Sequence, residues 1–262
     1  MPPTLDEILA KTRSSLREHR PHLGRLEAAA LARPAPPSMA RALAGPTVGL
    51  IAEVKRRSPS HGVIAEDLDP VGLARACVDG GAAAISVLTD GPFFGGSLAD
   101  LEAVTAAVSA PVLRKDFTLE EVQLLEARAA GASAVLLLVR ALDARRLRAL
   151  HRFAGDLGLD ALVEAHGERE LDQALDLEAS LVGVNSRNLD TFDVDVPAAA
   201  ALLSRIPAAT LAVSESGLES VADVRRVAEA GADAVLIGTA ISRSAEPAVL
   251  AREFSSVPRR GR

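Results

Sequence analysis

Short apolar runs alternate with amphipathic stretches along most of the chain. Eight runs rich in Val, Ile, Leu and Ala stand out: VGLIAEV, AAISVL, APVLRKD, ASAVLLLV, DALVEA, SLVGVN, ATLAVSES and ADAVLIG. Between them lie segments with apolar residues at helical spacing, such as LADLEAVTAAV and ARRLRALHRFAGDLG, and several of these end in glycine. The alternation predicts parallel strands that are covered by helices.

The number of these units favours one closed architecture. Eight near-continuous apolar strands with helical connections are typical of a (β/α)8 TIM barrel, an α/β fold, rather than of an open doubly wound sheet. No G-x-G-x-x-G follows the first strand, which counts against a dinucleotide-binding fold. We therefore expect a single barrel domain over residues 1–262, with a helical N-terminal extension over residues 1–45.

The composition of the chain argues against some classes of binding partner. The chain has 262 residues and a net charge of -6, which argues against general binding to nucleic acid or to a membrane surface. An anionic ligand would therefore need local positive charge. The single cysteine, Cys77, fits a reducing compartment, and neither a signal peptide nor a transmembrane run is recognisable. We expect a cytoplasmic protein.

Polar residues recur where the predicted strands end, which is where a TIM barrel places its active site. Glu53 and Lys55 end the first strand two residues apart, so they share one of its faces. The others are Ser58 after the first strand, Lys115 after the third, Glu164 after the fifth, Asn185 and Arg187 after the sixth, and Glu215 and Ser216 after the seventh. One such residue is more often a polar cap or a structural ion pair. When polar residues occur at the ends of several strands, a shared site becomes the better interpretation, because buried charges need partners. We therefore predict one polar pocket that these residues share.

The choice of cation is informative. Of 29 basic residues only three are lysines, Lys11, Lys55 and Lys115, and two of the three lie near strand ends. Lysine, unlike arginine, has a pKa that can be tuned for proton transfer, which weakly indicates lysine-specific chemistry at these positions.

Two small turns predict an anion site. SESG after the seventh strand contains Ser216 and Gly217, and IGT after the eighth contains Gly238 and Thr239. Such turns present backbone N–H groups near helix N-termini, and the loops after strands seven and eight form a recurrent phosphate site in barrels. Either turn alone could be a simple connection. Together, at these two positions, they favour phosphate binding.

Aromatic residues indicate an apolar wall. The chain has no Trp or Tyr, and four of its six phenylalanines, Phe93, Phe94, Phe117 and Phe192, lie in or beside strand-to-helix loops. Ordinary loop packing would place some of them there, but the set also suits an aromatic ligand.

Other polar residues give weaker signals. The five histidines have no metal-ligand spacing, so we expect no metal. His166 is interpreted as a surface or loop-capping residue. Asp90 and Asp116 are interpreted as caps or ion-pair partners without a catalytic role.

Six blocks carry a family resemblance: IAEVKRRSPSHG, SVLTDGPFFGGSLADLEAV, PVLRKDFTLEEVQLLEARAAGASAVLLLV, LVEAH, VGVNSRNLDTFDVD and SESG. In this order, over most of residues 49–240, they resemble indole-3-glycerol phosphate synthases. The resemblance implies a cofactor-free lyase of tryptophan biosynthesis. Its substrate would be 1-(2-carboxyphenylamino)-1-deoxyribulose 5-phosphate, which closes a ring and loses carbon dioxide and water to give indole-3-glycerol phosphate. It also implies a monomer whose opening segment, LDEILAKTR, helps to cover the active-site end of the barrel.

The resemblance also implies a role for each site residue. Lys115 would be the general acid and Glu164 the general base, with Glu53 in proton transfer or holding Lys115 in place. Asn185 and Arg187 would orient the carboxylated ring and the catalytic groups, and Lys55 would contact anionic groups. The remaining members are Ser58 and Glu215 in the polar shell, Phe94, Phe117 and Leu189 in the apolar wall, and Ser216, Gly217, Gly238 and Thr239 at the phosphate.

Alternatives stay open at this point. His61 stands where Lys or Arg is more usual in the family, and IGTAISRS is an unusual segment after the eighth strand, which leaves room for a specialised-metabolism paralogue with the same chemistry. An isomerase such as phosphoribosylanthranilate isomerase would be expected to use a Cys/Asp pair, whereas Cys77 lies in a predicted helix. A non-catalytic phosphometabolite-binding barrel is disfavoured by Glu53, Lys115 and Glu164.

Overall fold

Eight parallel strands close into a barrel in the computed structural model, which describes residues 3–19 and 23–261. They are β1 (Gly49–Val54), β4 (Ala84–Leu88), β5 (Val112–Lys115), β6 (Ala134–Leu138), β7 (Asp160–Ala165), β8 (Leu181–Asn185), β9 (Leu211–Glu215) and β10 (Ala234–Ile237), while β2 (Arg57–Ser58) and β3 (Gly62–Val63) form a small antiparallel hairpin after β1. Strand β1 pairs with both β4 and β10, which closes the barrel. The (β/α)8 prediction is confirmed. His22, one of the histidines discussed above, lies outside the described residues.

Helices precede and surround the barrel. Before it come α1 (Leu5–His19), α2 (Leu23–Ala32) and α3 (Met39–Leu43), and after β1 come α4 (Pro70–Asp79), α5 (Gly91–Phe94), α6 (Leu98–Ala107), α7 (Glu121–Ala129), α8 (Ala144–Asp156), α9 (Glu168–Leu175), α10 (Val196–Leu203), α11 (Val221–Glu229), α12 (Thr239–Arg243) and α13 (Pro247–Ser255). Side chains cap many of their starts, as Asp143 does for α8 by accepting from the Arg146 N–H. Gly131 and Gly231 adopt positive φ just after α7 and α11, a conformation that suits glycine at a helix end. None of the helices in the described part of the chain has the length and apolarity needed to cross a bilayer.

The barrel interior is filled and closed at one end. Its buried apolar residues are Ile51, Ala84, Leu113, Ala134, Leu136, Leu162, Leu181, Val213, Ala234 and Leu236, packed with Met39 and Leu43 of α3. Leu43 packs against Gly49, the first residue of β1, where an added Cβ would lie 2.8 Å from Leu43 Cδ2. The carboxylate of Asp160, the first residue of β7, accepts from the backbone N–H of Ala40 at 3.0 Å. Helix α3 therefore plugs the end of the barrel where the strands begin.

Helix α1 packs near the opposite end. Leu5, Leu9 and Leu16 of α1 form a buried cluster with Leu119, Val122 and Leu138, against which the half-buried Phe117 and Leu189 also pack. Leu138 ends β6, and Phe117 and Leu119 follow β5. The segment between α2 and α3 is tied to the barrel by Arg128, which donates to the backbone oxygens of Arg33 and Pro34. The N-terminal extension thus contacts both ends of the barrel.

Candidate active site

A pocket with a cavity volume of about 150 Å³ opens where the barrel strands end. Its lining includes every residue that the sequence assigned to the site: Glu53, Lys55, Ser58, Phe94, Lys115, Phe117, Glu164, Asn185, Arg187, Leu189, Glu215, Ser216, Gly217, Gly238 and Thr239. Residues separated by almost 190 positions in the chain meet here because parallel strands point their carboxyl ends to the same side.

Lys115 lies at the centre of a buried charge cluster. Its Nζ is 3.1 Å from Glu164 Oε2 and 3.7 Å from Glu215 Oε2. The side chains of Glu164 and Glu215 are only 3% and 2% exposed. One ammonium is therefore the shared ion-pair partner of two carboxylates that are almost completely buried.

Burial and the charges within the cluster determine which of Lys115, Glu164 and Glu215 are ionised. Burial acts to lower the pKa of Lys115, but the carboxylates of Glu164, Glu215 and Glu53 outweigh it and hold that pKa above the ordinary lysine value. Burial acts to raise the pKa of Glu164, yet Lys115 and His166 outweigh it and lower the pKa to about 2. For Glu215, burial and the neighbouring Glu164 charge raise the pKa well above the usual range. Lys115 is thus charged, Glu164 is ionised, and Glu215 favours its protonated form.

Asn185 fixes the direction of Glu164. Its side-chain Nδ2 donates to Glu164 Oε1 at 2.9 Å, and its Oδ1 accepts from the backbone N–H of Arg187 at 3.0 Å. The Arg187 guanidinium in turn donates to the backbone oxygen of Phe192 at 3.0 Å. The loop after β8 therefore holds the Asn185 amide against Glu164 and fixes the Arg187 guanidinium in the pocket lining.

The charges that end β1 form a pair in the pocket wall. Lys55 Nζ lies 2.8 Å from Glu53 Oε1, as their spacing along the strand predicts. A Cβ on Gly238 would collide with Glu53 Oε1 and lie 2.9 Å from Lys55 Nζ. The glycine after β10 therefore leaves room for this ion pair.

The turns after β9 and β10 have a shape suited to an anion. Ser216 and Gly217 both adopt left-handed conformations, with φ of 67° and 68°, and α12 begins directly after Gly238. Backbone N–H groups in such turns form anion-binding concavities. Nearby positive charge is evident at His61, whose pKa is lowered by burial and then by Arg187, Lys55 and Arg243. Local cations thus offset the negative net charge of the chain.

Part of the pocket lining is apolar. The rings of Phe94 and Phe117 lie 6.3 Å apart at 45°, and Leu189 and Phe192 also line the cavity. Phe93 lies outside the lining. The sequence missed Leu88, Leu136, Leu138 and Leu236, which also contact the cavity. Strand parity could have found Leu136 and Leu138, because alternate residues of a barrel strand point inward.

Three polar residues set aside by the sequence also have defined places. Asp90 accepts from the backbone N–H groups of Phe93 and Phe94 and so caps α5. Asp116 Oδ2 accepts from the Thr89 hydroxyl at 2.6 Å and pairs with Arg114 at 3.0 Å. His166 is not a surface residue, because its side chain is 7% exposed and its Nε2 lies 3.3 Å from Glu164 Oε1. It follows Glu164 by two residues, just beyond the last residue of β7, and its ring lies beside that carboxylate.

The described residues bring neither a metal-binding cluster nor a thiol to the pocket. Within residues 3–19 and 23–261, no three His, Cys, Asp or Glu side chains gather in a way that could hold a metal ion. Cys77 is buried in α4, and burial raises the pKa of its thiol to about 12. A protonated thiol in a helix cannot supply the acid–base cysteine of an isomerase.

Comparison with known proteins identifies the family. The indole-3-glycerol phosphate synthase family model matches residues 5–254. The chain belongs to the indole-3-glycerol phosphate synthase family. An indole-3-glycerol phosphate synthase of a Parafrankia species is 49% identical, with 93% of this chain and 91% of the relative aligned. One from Micrococcus luteus is 47% identical, with 95% and 96% aligned.

Solved structures agree on the fold. A 3-hexulose-6-phosphate synthase superposes with a TM-score of 0.63 at 21% identity, over 80% of this chain and 99% of that one. A second, from Salmonella typhimurium, gives 0.59 at 19% identity over 79% and 97%. At this identity the likeness shows a shared barrel. Membership of the indole-3-glycerol phosphate synthase family makes the chain an enzyme of the carboxy-lyase class.

Proposed function

We propose that this pocket closes the indole ring of 1-(2-carboxyphenylamino)-1-deoxyribulose 5-phosphate, with loss of carbon dioxide and water, to form indole-3-glycerol phosphate for tryptophan biosynthesis. The observation that carries the proposal is the buried ammonium of Lys115 between Glu164 and Glu215. Turns suited to an anion and a pair of phenylalanine rings line the same pocket and support it. The family to which the chain belongs supports the same reaction.

Substrate binding divides between the two sides of the pocket. The phosphate is placed at the turns of Ser216–Gly217 and Gly238–Thr239, where backbone N–H groups and the start of α12 favour an anion. The carboxylated ring lies against Phe94, Phe117 and Leu189. Lys55 and Arg187 neutralise its anionic groups, with Ser58 completing the polar shell. Binding at both ends places the ketone near Lys115, and such positioning lowers the barrier.

Lys115 acts first, as general acid. The ring carbon that carries the carboxylate attacks the ketone carbon, and the ketone oxygen takes a proton from the Lys115 ammonium. The bond to the carboxylate then breaks, carbon dioxide leaves, and its electron pair restores the aromatic ring. Because the ammonium is already in place and desolvated, it stabilises charge as that charge develops on the oxygen.

Glu164 acts next, as general base. It removes a proton from the methylene carbon beside the ring nitrogen. The new hydroxyl takes a second proton, drawn from solvent, and leaves as water. The lowered pKa keeps Glu164 ionised and able to accept. Glu53 takes part in this proton traffic or holds Lys115 in position, and Asn185 holds Glu164 towards the substrate.

We further propose that residues 1–262 form one barrel domain whose extension over residues 1–45 covers the active-site end. The contacts of α1 with Leu119 and Leu138 support this arrangement. The protein works as a cytoplasmic monomer, without cofactor or metal and without nucleic-acid or membrane partners. Light scattering coupled to gel filtration tests the monomer, and a mass of twice 27.2 kDa would contradict it.

The decisive experiment incubates the purified protein with the carboxyphenylamino-deoxyribulose phosphate and follows indole fluorescence. The chain contains no Trp, so its own background is low. Product formation at a rate proportional to enzyme concentration is expected. Saturable binding of the substrate in calorimetry, without product, would instead show a phosphometabolite-binding barrel. Rescue of a tryptophan auxotroph separates the primary pathway from a specialised-metabolism paralogue.

A further inference from the structure

Ser242 lies in IGTAISRS, the segment after the eighth barrel strand that the sequence marks as unusual. It belongs to α12, is 6% exposed and does not line the substrate pocket. Its hydroxyl makes two hydrogen bonds, and both of them join backbone groups at the end of β1. An effect of this hydroxyl on the reaction would therefore act through the end of β1.

The two backbone groups that Ser242 contacts lie beyond the pairing between β1 and β10. The last paired residues of these two strands are Ala52 and Ile237, and β10 ends at Ile237. Strand β1 continues past this point, where it still pairs with β4 on its other edge. On the edge that faces β10, the Glu53 carbonyl oxygen and the Lys55 N–H therefore lack a partner from a strand.

The Ser242 hydroxyl supplies this partner. It donates to the Glu53 carbonyl oxygen at 3.1 Å and accepts from the Lys55 N–H at 3.3 Å. A hydroxyl has one hydrogen to donate and two lone pairs that accept, so it can make both bonds at once. Residues two apart along a strand direct their backbone groups to the same neighbour. One side chain of α12 thus replaces the next residue that β10 would have contributed.

The backbone that is held in this way carries two residues of the pocket lining. The side chains of Glu53 and Lys55 form an ion pair at 2.8 Å, and Glu53 also acts on the pKa of Lys115. The backbone N–H of Ser242 donates to the carbonyl oxygen of Gly238 at 2.8 Å, and Gly238 leaves the space that the ion pair occupies. Ser242 therefore links the end of β1 to the residue that follows β10.

We propose that Ser242 is a positioning residue for Glu53 and Lys55, which holds the end of β1 where their ion pair can meet the substrate. This role rests on the proposed function, in which Lys55 contacts an anionic group and Glu53 takes part in proton transfer or holds Lys115. Without the hydroxyl, a buried carbonyl oxygen and an N–H group lose their partners, and the end of the strand shifts to recover them. Small displacements of groups that orient a substrate slow its reaction strongly.

The test compares Ser242→Ala with Ser242→Thr. The alanine variant loses the hydroxyl, and its kcat/KM should fall about tenfold. The threonine variant keeps a hydroxyl and should stay within about threefold of wild type. Ser255→Ala is the matched control, because Ser255 donates to the carbonyl oxygen of Gly80 away from the pocket, and it should leave kcat/KM unchanged. Ser242→Cys, whose thiol is a weak donor, takes the place of Ser242→Ala should that variant not fold.

A double-mutant cycle separates positioning from a general loss of stability. In a Lys55→Ala background the ion pair is already broken, so Ser242→Ala should lower kcat/KM by less than about threefold. A general loss of stability would lower kcat/KM by the same factor in both backgrounds. Melting curves by circular dichroism identify the variants that are folded at the assay temperature.

Three results would overturn the proposal: a wild-type kcat/KM in Ser242→Ala, a loss in folded Ser242→Thr as large as that in Ser242→Ala, or an equal effect of Ser242→Ala with and without Lys55. Each of them is measured against an active wild-type enzyme. Absence of turnover in the wild type itself would instead reject the proposed function, so the two failures are distinguishable.

Discussion

Lys115 is surrounded by more negative charge than it can neutralise. Glu164 and Glu215 lie within 4 Å of its Nζ, and Glu53 also acts on its pKa. Buried like charges cannot all remain ionised, so the cluster holds an extra proton, and the raised pKa of Glu215 identifies the group that carries it. The site therefore contains one ammonium, that of Lys115, and one ionised carboxylate able to accept a proton, that of Glu164.

Replacing Lys115 with alanine should abolish turnover while substrate binding is largely kept. The expected loss in kcat is about 100-fold or more, because the proposed general acid is removed. Single-turnover kinetics measure the rate and calorimetry measures binding. Lys11→Ala, which changes a lysine of α1 outside the active-site pocket, is the matched control. Turnover near wild type in Lys115→Ala would reject Lys115 as the acid.

Arg187→Ala should weaken both binding and rate. The half-buried guanidinium is positioned by the Phe192 carbonyl and lines the pocket, so it can contact an anionic group directly. Loss of one charged hydrogen bond corresponds to about tenfold weaker binding. The surface residue Arg205, which pairs with Asp172, provides the control in Arg205→Ala. Unchanged binding and rate in Arg187→Ala would show that this orientation role is wrong.

Glu215→Gln should make stability less sensitive to alkaline pH. A raised pKa in the folded state means that Glu215 stabilises the fold below its unfolded pKa, and that this contribution is lost as pH rises through the folded pKa. Glutamine cannot ionise, so the melting temperature of the variant relative to wild type should rise as pH increases above the ordinary carboxylate range. Glu164 has the opposite shift, and its contribution is lost only as pH falls towards about 2.

Melting curves by circular dichroism across pH measure this difference. The exposed Glu219 at the pocket rim is the control, since Glu219→Gln removes a carboxylate that solvent already stabilises. The same pH dependence in Glu215→Gln and wild type would contradict the proposed protonation of Glu215.

The position of a side chain can be predicted from the sequence when its residue lies within a regular strand. Glu53 and Lys55 could be placed on one face because alternation within a strand is fixed by backbone geometry. The contact between Glu164 and His166 is not evident from the sequence, because His166 lies just beyond the last residue of β7, where strand alternation no longer fixes the direction of a side chain. The Phe94–Phe117 wall follows from composition and loop position, but Phe93 points elsewhere, and no periodicity in a loop distinguishes these neighbours.

At the scale of elements, the length of a helix or strand decides whether the sequence can predict it. The barrel strands can be predicted because each is a run of apolar residues. Amphipathic helices such as α8 can be predicted from the helical spacing of their apolar residues. Helices α3 and α5 and the β2–β3 hairpin escaped prediction, since two to five residues carry no measurable period. Their stability comes from tertiary contacts and caps, such as Asp90 at the start of α5.

Helix α3 gives a prediction at this scale. Leu43→Ala should lower the free energy of unfolding by about 2–5 kcal/mol, because it leaves a cavity under the barrel interior where Leu43 is fully buried. The kcat should change little, since the pocket lies at the other end. Chemical denaturation followed by circular dichroism measures stability. Leu31→Ala on α2, where the leucine is 70% exposed, should stay within about 0.5 kcal/mol.

An equal loss of stability in the two leucine variants would show that α3 does not plug the barrel. A large loss of kcat in Leu43→Ala with intact stability would place α3 in the catalytic machinery, contrary to this structure.

At the scale of the whole molecule, the order of elements was enough to predict a closed barrel, since eight βα units have few other arrangements. The position of the extension could not be derived in this way. The contacts of α1 with Leu119, Val122 and Leu138 join segments more than a hundred residues apart, and such pairs leave no local pattern. Its placement came from resemblance alone.

Leu9→Ala tests whether the extension supports the pocket. Leu9 is buried in the cluster against which Phe117 and Leu189 pack, so its truncation should loosen that wall and raise KM severalfold, with a smaller effect on kcat. Steady-state kinetics on Leu9→Ala and Leu31→Ala measure this. An unchanged KM in Leu9→Ala would show that α1 stabilises the fold without shaping the pocket.

The leucine and methionine plug beneath the barrel has one more consequence. Met39 and Leu43 fill the end of the barrel where the strands begin, and the pocket lies at the opposite end. The carbon dioxide that a carboxy-lyase releases is therefore expected to leave on the same side as the larger product.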